Sequence, residues 1–161
     1  MTQILDRAHL ASLRHRLTTL ARGIRHSAIP NDACLTEPQS KGSDTVVMEG
    51  KTLKRKRIVL LAPGCSVATC TMCPLPNEAL DPKRCSITPE QIIAQFESAF
   101  VDDDINTYDV ITIFNNGNFF VDAEMNPIVR QHIYTRMANS EASIPVFFPK
   151  YIRPTVGSKV Q

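Results

Sequence analysis

Three short apolar segments separated by two helix-like segments predict an α/β fold on a parallel sheet, preceded by a basic helical arm. The segments Arg57–Ala62, Val110–Phe114 and Ile144–Phe148 are apolar at every position except Arg57 and Thr112. That pattern suits strands covered on both faces, as in sheets flanked by helices. The order β-α-β-α-β implies right-handed crossovers. The two most unusual stretches, a cysteine-bearing loop and Asn115–Asn118, follow the carboxyl ends of strands. Parallel sheets bind their ligands at that end.

The elements follow in order along the chain. Over residues 4–26, Ile4, Leu5, Leu13, Leu17, Leu20 and Ile24 fall on one side of a helix, with Arg7, Arg14, Arg16, Arg22 and Arg25 around them. The plain reading is a helix packed on the domain with a solvated basic face. A targeting helix and an RNA-contacting arm share the same composition. Residues 30–52 are polar with Pro, Ser and Gly, and are expected to be a linker or loop. Lys54-Arg55-Lys56-Arg57 is expected to be a solvated entrance to the first strand, although such a run also suits a nuclear address or a nucleic-acid contact. Pro63-Gly64 closes that strand.

A helix then opens at Thr88-Pro89-Glu90-Gln91, where Thr88 can cap, Pro89 suits the first turn and Gln91 completes a capping box. Ile92, Ile93, Phe96, Ala99 and Phe100 form its buried stripe, and Asp102–Asp104 marks its exit. The second strand ends in Asn115-Asn116-Gly117-Asn118, and Asn126-Pro127 opens a helix with Ile128, Val129, Ile133 and Met137 on its apolar side. These readings divide the chain into a basic helical arm with a polar linker, 1–53, and an α/β region, 54–161.

Charge divides at the same place. Residues 1–60 hold 11 basic and 5 acidic side chains, and residues 61–161 hold 7 and 11. The front is therefore basic and the body mildly acidic. The longest clean apolar run is Ile58–Ala62, far short of the roughly 18 residues of a membrane helix. Residues 1–30 lack the compact apolar stretch of a secretory signal. Five Cys without such a signal point to a reducing, cytoplasmic setting, where clustered Cys serve metals or catalysis. The chain has no Walker sequence, dinucleotide fingerprint or nucleophile elbow, and none of its four His has a ligand-spaced partner.

The loop after the first strand spans 63–87, against the usual ~2–6 residues. It contains Pro63-Gly64-Cys65-Ser66-Val67-Ala68-Thr69-Cys70-Thr71-Met72-Cys73-Pro74, with the spacing C-x4-C-x2-C, and Cys85 follows after eleven more residues. Thiolates so close can converge on a soft metal centre, either an iron–sulfur cluster or zinc. Three Cys on a four-iron cubane leave one iron open to a ligand. Four would close a structural zinc site or a conventional cluster, and the local spacing also fits plant-type ferredoxins. A zinc-stabilised binding module and a small iron–sulfur electron carrier are therefore alternatives to an enzyme. Cys34, in the polar segment, is expected to be unligated.

The strand, the Pro-Gly-Cys start, the three-Cys loop and the capped helix together resemble the N-terminal part of a radical S-adenosylmethionine (radical SAM) enzyme. Ile113-Phe114-Asn115-Asn116-Gly117-Asn118-Phe119-Phe120 is similar to the second-strand segment of the branch containing the Elongator catalytic subunit and archaeosine-type tRNA-modifying enzymes. The resemblance covers residues 57–150. It implies a partial (β/α) barrel of about three units. Cys65, Cys70 and Cys73 would ligate a 4Fe-4S cluster whose open iron chelates S-adenosylmethionine. One-electron cleavage of the sulfonium would give a 5′-deoxyadenosyl radical. Asn115, Asn116, Gly117 and Asn118 would contact the methionine ammonium, for which amide oxygens and backbone carbonyls are suitable acceptors. Met72 would lie near the adenine. The resemblance leaves the catalytic residues unassigned. It implies an electron donor of ferredoxin or flavodoxin type, and RNA as a substrate class compatible with the basic arm. The family's commonest loop is one residue shorter, C-x3-C-x2-C, and Asn-Asn-Gly-Asn stands where Gly-Gly-Glu is usual. A barrel of this type has about six units, so three strands imply a truncated or split form, with a second chain covering the exposed edge.

Anaerobic reconstitution distinguishes these alternatives. The radical SAM reading predicts a four-iron centre that survives Cys85→Ala and changes spectrally on adding S-adenosylmethionine. A two-iron centre requiring Cys85 would indicate the electron carrier. An air-stable zinc site would indicate the binding module.

Overall fold

The computed structural model describes residues 6–23, 29, 34–66, 78–80, 86–140 and 144–147. It is a mixed α/β structure. The elements run α1 (Arg7–Gly23), β1 (Ser40–Met48), β2 (Lys51–Leu60), α2 (Pro89–Ser98), a 3-10 turn (Ile105–Thr107), β3 (Val110–Asn115), α3 (Pro127–Ala138) and β4 (Ile144–Phe147). The sheet order is β1-β2-β3-β4, antiparallel between β1 and β2 and parallel across β2-β3-β4. No helix among the described residues is long and apolar enough to cross a membrane.

The two central helices form where the caps predict. The Thr88 hydroxyl accepts from the Gln91 N–H, and the Gln91 side chain accepts from the Thr88 N–H, a reciprocal capping box. Asn126 Oδ1 accepts from the Ile128 N–H at 2.8 Å to cap α3. Both helices carry a proline in the first turn, whose missing N–H removes a donor that a helix start leaves unpaired anyway. Ile92 and Phe96 of α2 meet Ile58 and Leu60 of β2, Ile111 and Ile113 of β3, and Val129, Ile133 and Met137 of α3 in one buried cluster.

The polar segment expected to be a loop contains a strand and a hairpin turn. Residues 40–48 pair along their whole length with β2, from Ser40 opposite Val59 to Met48 opposite Lys51. The two-residue turn is Glu49-Gly50, both with positive φ, 50° and 77°. Such turns match the twist of a hairpin. Hydropathy concealed β1 because the hairpin stands in solvent and its residues alternate only between exposed and half-buried. The sheet is consequently mixed rather than wholly parallel. The boundary expected at 53/54 falls inside β2.

The basic run is likewise inside β2, not at its entrance. Alternation sends Arg55 and Arg57 to one face and Lys54 and Lys56 to the other. Asp44 of β1 takes both arginines, with Arg55 Nε at 2.7 Å and Arg57 Nε at 2.9 Å. The hydrogen bonds from Arg55 hold the Asp44 carboxyl below its ordinary range. Lys56 is 4% exposed. Its ammonium pairs with Asp103 and lies 5.4 Å from the Tyr108 ring centre and 5.9 Å from that of Phe100. Helix α1 also departs from expectation. Of its expected apolar side, Leu17 and Leu20 are 53% and 64% exposed and Leu13 is half-buried, so among the described residues most of that stripe is not covered.

The Lys56–Asp103 pair gives a pH prediction. Hydrogen bonds from Lys56 and then Tyr108 hold the Asp103 carboxyl below its usual range. Asp103→Asn strands a buried ammonium and lowers the urea midpoint at pH 7, whereas Lys56→Met removes the charge and stays near wild type. A depressed native value stabilises the fold above the unfolded value of about 3.9. The wild-type margin over Asp103→Asn therefore persists down to about pH 4 and disappears as pH falls through the lower native value.

Candidate cofactor site at the carboxyl ends of β2 and β3

Leu60 of β2 and Asn115 of β3 are partners in the parallel register. The chain therefore leaves both strands at the same level, on the same end of the sheet. After β2, Leu61 is held by Gln95 of α2, which is fully buried. The Leu61 N–H donates to Gln95 Oε1 at 2.7 Å, and Gln95 Nε2 donates to the Leu61 carbonyl at 3.1 Å and the Leu35 carbonyl at 2.9 Å. A strand that has run out of ladder partners is satisfied here by one side-chain amide. The Leu80 N–H adds a bond to the Ala62 carbonyl at 3.3 Å.

Gly64 follows with φ +85°, a conformation that favours glycine. A Cβ there would stand 2.4 Å from Ala79 Cβ. A Cβ on Gly117 would stand 3.0 Å from the Gly64 carbonyl carbon and 2.5 Å from Glu124 Oε2. The two glycines thus let the turn leading into Cys65 lie directly against the segment leaving β3. Cys65 itself is half-buried.

Asn115 and Asn116 are both fully buried. Asn116 Nδ2 donates to Gln39 Oε1 at 3.1 Å and to the Glu78 carbonyl. Among the described residues its Oδ1 has no partner, nor has either amide atom of Asn115. Asn118 is exposed, and its Oδ1 accepts from the Phe120 N–H at 3.0 Å, closing a local turn. Of the sequence-predicted residues, Asn115, Asn116, Gly117 and Asn118 follow one another at the end of β3, and Gly64, the neighbour of Cys65, lies against Asn116 and Gly117. Cys70, Met72, Cys73 and Cys85 lie outside the described residues. Among the described residues no three His, Cys, Asp or Glu groups converge as a metal site. Cys34 is exposed, and hydrogen bonding from Thr36 lowers its thiol below the usual value.

Sequence reasoning missed Glu124 and Ser66. Glu124 is 2% exposed. Its Oε1 accepts from the Ser66 N–H at 2.8 Å and the Ser66 hydroxyl at 2.6 Å, and its Oε2 accepts from the Asn118 N–H at 2.5 Å. Nothing in the local pattern marks an acid that reaches a partner 58 positions away. A cleft of about 150 Å³ lies alongside, lined in part by Pro63, Ile92, Glu124 and Met125.

The glycine contact predicts a contrast. Gly117→Ala drives a methyl group into backbone and a buried carboxylate, and should destabilise by about 1–3 kcal/mol in urea unfolding. A Cβ on Gly42 would meet nothing nearer than Arg57 at 3.8 Å. Gly42→Ala should be neutral or stabilise by about 0.4–1 kcal/mol.

Comparison of the chain with protein-family models, curated proteins and solved structures finds no match.

Proposed function

We propose that the chain is a radical S-adenosylmethionine enzyme, or a portion of one, with residues 54–161 as the N-terminal part of its (β/α) domain. The observation that carries this reading is the buried amide of Asn115 at the carboxyl end of β3, which has no partner among the described residues. An unsatisfied buried polar group costs about 1–3 kcal/mol. Native structures keep such groups where a ligand or ordered water completes them. Asn115 offers a carbonyl oxygen that accepts from an ammonium and an Nδ2 that donates to a carboxylate. An α-amino acid presents both on one carbon, so the donor set fits the methionine end of S-adenosylmethionine. The free Oδ1 of Asn116 adds a second acceptor.

Cys65, Cys70 and Cys73 are the residues that would hold the 4Fe-4S cluster. Gly64, the neighbour of Cys65, lies against Asn116 and Gly117, an approach that would suit a centre shared by cluster and cofactor. When bound, the cluster and S-adenosylmethionine supply one-electron cleavage of the sulfonium and a radical that abstracts hydrogen. The protein's part is to fix that geometry and exclude water. The sequential order β2-β3-β4, each strand parallel to its predecessor, suits consecutive units of a partial barrel. Met72 in this reading packs near the adenine. A cytoplasmic electron donor of ferredoxin or flavodoxin type, RNA as substrate and a second chain extending the sheet complete the proposal. The arginines of α1 support the RNA component through phosphate attraction.

Asn115→Leu tests it. The substitution removes the unpaired amide at similar volume, so the metal-free chain should become more stable, by up to about 1–3 kcal/mol. Iron uptake should be unchanged, and the change in the reduced-cluster paramagnetic resonance spectrum on adding S-adenosylmethionine should be lost. An undiminished response together with lower stability would make Asn115 a packing residue and remove the main support for the reading.

A further inference from the structure

We infer that Glu124 is a positioning residue, latching the Cys65-bearing turn to the segment after β3 so that cluster ligand and cofactor-contacting backbone share one frame. The inference rests on the radical SAM reading above. Three donors from two separate segments meet one carboxylate. The Ser66 N–H and hydroxyl take Oε1, and the Asn118 N–H takes Oε2. Ser66 adjoins Cys65, and Asn118 adjoins Gly117. Neither N–H belongs to the sheet ladder, so each needs a partner of this kind. Charge-assisted bonds from backbone N–H to carboxylate are among the stronger ones available.

The latch is itself braced. The N–H groups of Glu124 and Met125 donate to the Val121 carbonyl at 2.9 and 2.8 Å. Arg130 of α3 donates to the Met125 carbonyl at 2.7 Å and pairs with Asp122 at 2.5 Å. The carboxylate is thus carried on a turn fixed to a core helix. Its position against Gly117 leaves no room for a side chain there. Partners behind a metal ligand commonly change affinity about 10–100-fold when removed, because they set the ligand's orientation before metal arrives.

The two oxygens can be tested separately in the full chain. Glu124→Ala should weaken iron binding about 10-fold. In the metal-free state it should speed hydrogen exchange at the Ser66 and Asn118 amides while leaving the β3 amides slow. Glu124→Gln keeps an oxygen for the two Ser66 donors and turns its NH2 toward the Asn118 N–H. It should therefore bind iron close to wild type, yet give a weaker spectral response to S-adenosylmethionine. Wild-type iron affinity and slow exchange at both amides in Glu124→Ala would overturn the latch alone. If Glu124→Ala does not fold, an unaltered S-adenosylmethionine response in Glu124→Gln overturns it. A wild-type chain that takes up no iron overturns the radical SAM reading and, with it, the role of the latch toward a cluster.

Discussion

The parallel register of β2 and β3 is the constraint on which the site depends. With Leu60 opposite Asn115, the two strands stop together and their following segments emerge side by side. A parallel ladder cannot be closed by a tight turn, so the chain must cross over through a helix between them. Helix α2 fills that role, and its Gln95 reaches back to satisfy Leu61 where the ladder ends. The apolar cluster of Ile58, Phe96, Ile113 and Ile133 holds the register from one side of the sheet. A one-residue slip would turn these side chains away from the helices.

Above that register, backbone meets backbone. Gly64 and Gly117 remove the side chains that would hold the two exits apart, and Glu124 supplies the acceptors that the crowded N–H groups need. The result is a junction in which most polar groups are paired and three amide atoms, on Asn115 and Asn116, are not. That contrast matters more than burial alone. The same neighbourhood that satisfies Ser66, Asn118 and Leu61 leaves one fully buried side chain, Asn115, without a partner among the described residues, and the proposed cofactor contact rests on that contrast.

The hairpin obeys a different logic. Its β1 strand buries little, and its cohesion lies in ladder bonds and in Asp44 bridging Arg55 and Arg57 across the strands. Those pairs are solvent-facing and add modestly to stability. Lys56 points the other way and is enclosed by Phe100, Tyr108 and Asp103, where its aliphatic stem packs and its ammonium is paired. Four consecutive basic residues thus divide between two environments, because strand alternation outweighs the identity of the side chain.

Local chemistry was enough for the elements whose signals lie within a few residues. Thr88 with Gln91, Asn126 with Pro127, and the apolar runs of β2 and β3 could be read directly, since caps and strand patterns act over one or two turns of chain. The outlying expectations failed where the deciding contact was distant or absent. β1 has a weak pattern, and its pairing with β2 made it a strand. The stripe of α1 is helical in period, but periodicity does not specify what covers it. The approach of Gly64, beside Cys65, to Gly117 depends on strand register, which no local pattern states. Glu124 had no signature at all. Its donors lie 58 and 6 residues away in the chain, and only the close approach of two glycine turns brings both within reach of one carboxylate.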